Sequence, residues 1–218
     1  MMKKHILIAA TALIATAATA QDFRVPLEKT FLAFDTTMDM KVKVEQANKL
    51  ALIAKKWDAE WSTHYYVAYS KAQLSYMEQD AKKRDAYLDE AEKEREDAVS
   101  ILKKDNDETY VLAAMIANAR MAVDPMNRWQ KYGELFTQNL KSAQEVNPEN
   151  PRMYYLQGVS KYFTPKQFGG GANAAMPYFE KANGLFAKEA GVTDIAKPHW
   201  GKDKNEYFME QAKKNDKG

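Results

Sequence analysis

The chain has 218 residues, 45% of them hydrophobic and 28% charged, with a formal net charge of +2 and no cysteine. That length suits one domain or one short repeat array. The absent cysteines exclude disulfides, thiolate metal sites and a cysteine nucleophile together.

The first element is a targeting segment. Lys3, Lys4 and His5 form a basic start, the run from Ile6 to Ala18 carries no charge, and Ala18-Thr19-Ala20 is a small-x-small cleavage site. Residues 1–20 therefore read as a signal peptide, with Gln21 as the mature N-terminus and a periplasmic or secreted destination. The run is too short for a span, which needs about 20 apolar residues. Removing it takes away two lysines and leaves 30 basic against 30 acidic residues. The pI near 8.5 is thus a property of the precursor. It is no nucleic-acid footprint, which requires a clustered basic surface. No second long apolar stretch follows, so residues 21–218 are expected to form one soluble domain that is not embedded in a membrane.

Helix formers dominate that domain, and no stretch alternates β-branched with polar residues. Apolar residues recur at helical spacing at Leu27, Phe31, Phe34 and Met38, then at Val44, Ala47, Leu50, Ala51 and Ala54. A second pair of helices is expected at about 59–78 and 82–103, and a third at about 107–122 and 128–146. In the third, the connection is lengthened around Asp124 to Tyr132. Asn147-Pro148-Glu149-Asn150-Pro151 stops one helix and starts the next, because proline cannot continue a helix but suits a first turn. A fourth pair, about 152–163 and 172–188, is joined by a loop ending in Gly169-Gly170-Gly171, and a polar helix at about 202–214 caps the chain.

The first helices of pairs two to four open on Trp61, Tyr110 and Tyr154, spaced 49 and 44 residues apart. In the fourth pair, Asn150 to Gly158 resembles the opening of a tetratricopeptide (TPR) helix, and Ala175-Met176-Pro177-Tyr178-Phe179-Glu180-Lys181-Ala182 resembles its partner. Gly158 and Ala175 stand 17 apart where the family has 12, the extra residues lying in the Gly-rich loop. The resemblance covers about residues 140–188 and loosens over 59–140, where Ala113-Ala114 replaces the usual Leu-Gly. It implies an all-α fold: a right-handed stack of about four antiparallel hairpins plus a C-terminal capping helix. It also implies a concave surface lined by the first helices. Carried over position by position, that surface holds Tyr66, Tyr69 and Ser70, then Val111, Met115 and Asn118, then Tyr155, Val159, Tyr162 and Phe163.

Catalytic patterns are lacking. Only His64 and His199 follow the signal, no paired-ligand spacing for zinc appears, and no nucleophile elbow, phosphate loop or dinucleotide fingerprint occurs. The three glycines read as a tight turn rather than an anion site, since no lysine and serine or threonine follow. No catalytic residue, metal or cofactor is expected. Acidic residues between Asp80 and Asp97 alternate with Lys and Arg, as on a solvated helix face.

The tyrosine runs Tyr65-Tyr66 and Tyr154-Tyr155, with Tyr162-Phe163, leave one ring of each facing away from its own core, because neighbours on a helix point about 100° apart. Two functions compete. One is an exported TPR-like binding or scaffolding module that takes a peptide or protein partner along Tyr66, Tyr69, Met115, Asn118, Tyr155, Tyr162 and Phe163. The other is a periplasmic small-molecule carrier, an accessory of a substrate-uptake system with its ligand enclosed by the hairpins. The aromatics pack against a neighbouring or capping helix in the alternative arrangement of this surface. Neither the partner's identity nor the oligomeric state is written in the residues.

Overall fold

The computed structural model describes residues 22–215; the signal segment lies outside them. The described residues are all-helical, with no strand among them. In chain order they form α1 (Arg24–Thr36), α2 (Met40–Lys56), α3 (Trp61–Met77), α4 (Ala81–Leu102), α5 (Asp107–Val123), α6 (Pro125–Val146), α7 (Pro151–Phe163), α8 (Ala172–Lys188) and α9 (Lys202–Asn215), with a 3₁₀ turn at Lys166–Phe168. None of these helices is long and apolar enough to cross a membrane.

Local chemistry sets the helix starts. Asp39, Asp80, Asn106, Asp124 and Asn150 each accept a backbone N–H of the helix that follows, filling donors that have no partner inside the first turn. Pro125 and Pro151 occupy the first helical position, where a missing N–H costs nothing. The expected lengthened connection after α5 does not exist. A single residue, Asp124, links α5 to α6, because its carboxylate caps Asn127 and Pro125 starts the helix at once. The wide spacing of the opening aromatics is taken up by α4 and α6, which run to 22 residues each.

Helices adjacent in sequence pack as antiparallel neighbours: α3 with α4, α5 with α6, α7 with α8. The first helices α3, α5 and α7 also touch in that order and form an inner row. Gly158 on α7 is needed where α8 crosses, since a Cβ there would lie 2.5 Å from the Phe179 ring. Leu27, Phe31 and Phe34 bury the face of α1 expected of them, but Met38 is 84% exposed, because it falls in the linker after the helix has ended. The Gly-rich loop is the tight turn expected: Gly169 and Gly171 have φ of +77° and +97°, and a Cβ on Gly170 would collide with Thr164.

The C-terminal segment closes the inner row. Trp200 is buried and its ring centroid lies 4.7 Å from Tyr69 and 6.2 Å from Tyr155. Its indole N–H donates to the Tyr65 hydroxyl at 2.7 Å, which in turn donates to the Glu108 carboxylate at 2.7 Å. Arg152, wholly buried on α7, organises the remainder. It forms two 2.9 Å bonds to Glu189, lies 3.3 Å from Glu108 and donates to the Pro198 carbonyl. At the other end of the row, Lys204 of α9 bonds both Asp35 of α1 and the Tyr69 hydroxyl.

Burial raises the Glu108 pKa above the usual carboxylate range, and the Arg152 guanidinium works against that shift. Removing one member of a buried ion pair strands the other, at a cost of about 3–5 kcal/mol. Arg152→Met is therefore expected to lose stability on that scale in urea denaturation. Adding Glu108→Gln to it should recover part of the loss, because the stranded charge is gone.

Candidate functional site

The tertiary structure divides the residues expected on a concave surface. Tyr66, Tyr69, Met115 and Tyr155 are buried, at 0%, 0%, 1% and 6% exposure. Tyr66 packs its ring 4.4 Å from Phe31, while Tyr69 and Tyr155 pack against Trp200. An open groove along these rings is therefore corrected to a filled one, because residues 195–212 and α1 occupy the space that a peptide would need. Burial drives the hydroxyl pKa of Tyr66, Tyr69 and Tyr155 well upward. Asn118 accepts a 2.9 Å hydrogen bond from Tyr76 and is half-buried.

Tyr162 and Phe163 stand apart from that group, near the end of α7. Their ring centroids are 5.2 Å apart, and both contact Phe208 of α9, at 5.6 and 5.9 Å. Tyr162 also accepts a bond from Asn215 at 2.6 Å. Phe163 is 67% exposed, and Phe168 and Tyr207 are exposed as well. Tyr162, Phe163 and Phe208 thus form a partly exposed aromatic patch between α7 and α9.

A groove of about 190 Å³ lies elsewhere among the described residues, where α4, α5 and α6 meet. Its floor is Ala113, Ile116 and Ala117 of α5, two of them small enough to leave a flat strip. Tyr132 and Leu135, one turn apart on α6, form one wall, and Asn139 continues it. Glu92, Arg95 and Glu96 of α4 form the charged rim. One turn before Tyr132, Trp129 is 63% exposed, and Met126 before it is 85% exposed. Both belong to α6, the helix that supplies the groove's Tyr132 and Leu135, and clustered exposed apolar side chains mark binding surfaces more often than isolated ones do. These residues were not anticipated from the sequence. Ala113 reads there as a departure from a repeat pattern, and Trp129 falls in the stretch taken for a connection. The available signal is Met126 and Trp129, two large apolar residues within a polar run.

Ion pairs from a buried arginine and its half-buried neighbour hold the α4 rim. Arg120 of α5, 7% exposed, bonds Glu92 at 3.0 Å and Asp85 at 3.0 Å, and it also bonds Asp89. Arg128 of α6 forks onto Asp85 at 2.7 and 2.8 Å. Glu92 therefore meets the groove with its charge compensated. Arg95 bonds Asp105 at 2.7 Å.

No protein-family model matches the chain, and no curated protein matches it. Among solved structures it is similar to the HusA haemophore from Porphyromonas gingivalis, with a TM-score of 0.76 and 30% sequence identity over 90% of this chain and 96% of that one. A shared all-helical fold and that identity over nearly the full length of both define one family of helical proteins. The chain belongs to the family of the HusA haemophore.

The Arg128 fork, with Arg120 assisting, holds the Asp85 carboxyl below its ordinary pKa. A carboxylate with a depressed folded-state pKa adds stability above its unfolded value of about 3.9, and that stability is lost as pH falls through the folded value. Asp85→Asn is expected to cost about 1–2 kcal/mol near neutral pH. Urea titrations across the acid range should show the gap to wild type closing as pH falls below about 4.

Proposed function

We propose that this chain is an exported carrier of haem or a closely similar planar tetrapyrrole, and that the ligand docks in the α4–α5–α6 groove. The likeness to a haemophore over nearly the whole length of both chains carries this reading. The groove has features that suit such a ligand. The small side chains of Ala113 and Ala117 leave room for the edge of a planar ring, Tyr132 offers an aromatic face in the lining, and Arg95, which also pairs with Asp105, stands on the rim for a ligand carboxylate. At about 190 Å³ it is smaller than the roughly 300–1,000 Å³ of pockets that engulf a drug-sized ligand. The ring therefore enters by one edge and leaves the other accessible, which favours transfer to a second protein.

We read the hairpins as a TPR-like array whose inner face is filled by its own C-terminal segment. The peptide-binding alternative loses its principal support with Tyr66, Tyr69 and Tyr155 covered. No chemistry is proposed, since a carrier needs only reversible binding.

Haemin titrated into the full mature chain, followed by its absorbance and by quenching of tryptophan fluorescence, tests the reading. Saturable 1:1 binding is expected. Ala113→Trp, which fills the floor from a half-exposed position, should weaken it by at least about tenfold, or 1.4 kcal/mol. Unsaturable binding by the wild-type chain would overturn the carrier. Wild-type affinity in Ala113→Trp, together with weakened binding in Phe163→Ala/Phe168→Ala, would move the site to the aromatic patch.

A further inference from the structure

On the side of the molecule where α3 begins, His64 faces Glu94 and Asp97, which lie one turn apart on α4. One ligand atom from each lies within 4.8 Å of the other two. The His64 side chain is 12% exposed, Glu94 22% and Asp97 40%, so the cluster is half-sunk and reached from the Asp97 side.

The imidazole stands between two acceptors. Its Nε2 lies 3.3 Å from the Asp58 carbonyl oxygen and its Nδ1 lies 2.7 Å from a Glu94 carboxylate oxygen. A carbonyl can only accept, so the form that satisfies the Asp58 contact carries a proton on Nε2, and a neutral ring of that form turns the Nδ1 lone pair on the Glu94 oxygen. That arrangement repels unless a positive species occupies the Nδ1 side, either a second proton or a metal ion. The Asp58 carbonyl is well placed to hold the ring, because the turn carrying it is tied down. Glu60 N–H donates to the Trp57 carbonyl at 3.1 Å, and the Thr63 hydroxyl donates to the Glu60 carbonyl at 2.7 Å. A histidine that gives one N–H to a backbone carbonyl and presents its other nitrogen to carboxylates has the outer-shell arrangement of a metal ligand.

We propose that His64 Nδ1, Glu94 and Asp97 form a site for one divalent transition-metal ion of the zinc type, completed by water. A tetrahedral ion with bonds of about 2.0–2.2 Å spaces its ligands about 3.3–3.6 Å apart. Nδ1 and Glu94 must therefore open slightly and Asp97 must move in, which its exposed position on α4 permits. Lys93 holds one Asp97 oxygen at 2.6 Å and leaves the second oxygen for the ion. By accepting from the protonated ring, the Glu94 carboxylate also raises the imidazole pKa above its ordinary value, so protons compete with the metal as pH falls. The site shares no residue with the groove, and its proposal does not depend on haem binding.

The test is calorimetric titration of ZnCl₂ into the chelator-stripped mature chain at about pH 7.5, where an ordinary histidine is neutral. One ion per chain is expected at micromolar zinc. His64→Ala and Asp97→Ala should each weaken uptake by at least about tenfold. Asp97→Ala leaves the His64–Glu94 contact intact, so it guards against an unfolded His64 variant. Nitrogen NMR of His64 should move on zinc addition to the form protonated at Nε2 with Nδ1 bound. Absence of zinc uptake with both ring nitrogens protonated would overturn the proposal in favour of a bare ion pair. Uptake unchanged by both substitutions would overturn it equally.

Discussion

A guanidinium with no access to water sits at the centre of this fold. An isolated charge moved into a protein interior costs many kcal/mol, so Arg152 can be buried only where partners meet it from several directions. They come from α5 through Glu108, from the end of α8 through Glu189, and from the C-terminal segment through the Pro198 carbonyl. Tyr65 and Trp200 extend the same network to α3. Four separate parts of the chain are thereby held to one point. The C-terminal segment cannot swing away without taking the Pro198 carbonyl from the guanidinium and the Trp200 indole from Tyr65, which is why it functions as a wall and not as a loose cap.

That wall decides which surfaces are left for binding. With Trp200, Ile195 and α9 against the first helices, the inner face of the array becomes core. A shallow groove lies between α4, α5 and α6, where two alanines of α5 fail to fill the gap between longer neighbours. The groove rim is in turn steadied by Arg120 and Arg128 gripping Asp85.

Residue patterns carried the helices with little ambiguity because their signals are local. Asn150-Pro151 combines a side-chain cap with a proline at the first helical position, and both act over three residues. Asp124-Pro125 carries the same signal, but the polar run after it masks the first turn of α6 and makes the stretch resemble a longer connection. Gly158 was legible as a close crossing, and the partner it makes room for proved to be the Phe179 ring. The aromatic residues were recognisable as a cluster with one ring too many per helix. Whether those rings faced a ligand or a neighbour depended on where residue 200 lay relative to residue 69, and no periodicity encodes that distance.

The amino-acid sequence by itself determined an all-helical chain, its helix boundaries to within a few residues, and the absence of any cysteine chemistry. Those properties follow from propensity, capping and composition, which act between near neighbours. Only the tertiary structure decided that Tyr66, Tyr69 and Tyr155 are interior, that a groove opens over Ala113 and Ala117, and that His64 meets Glu94 across two helices. Each of these joins residues far apart in the chain, where the outcome depends on which surfaces exclude water against one another.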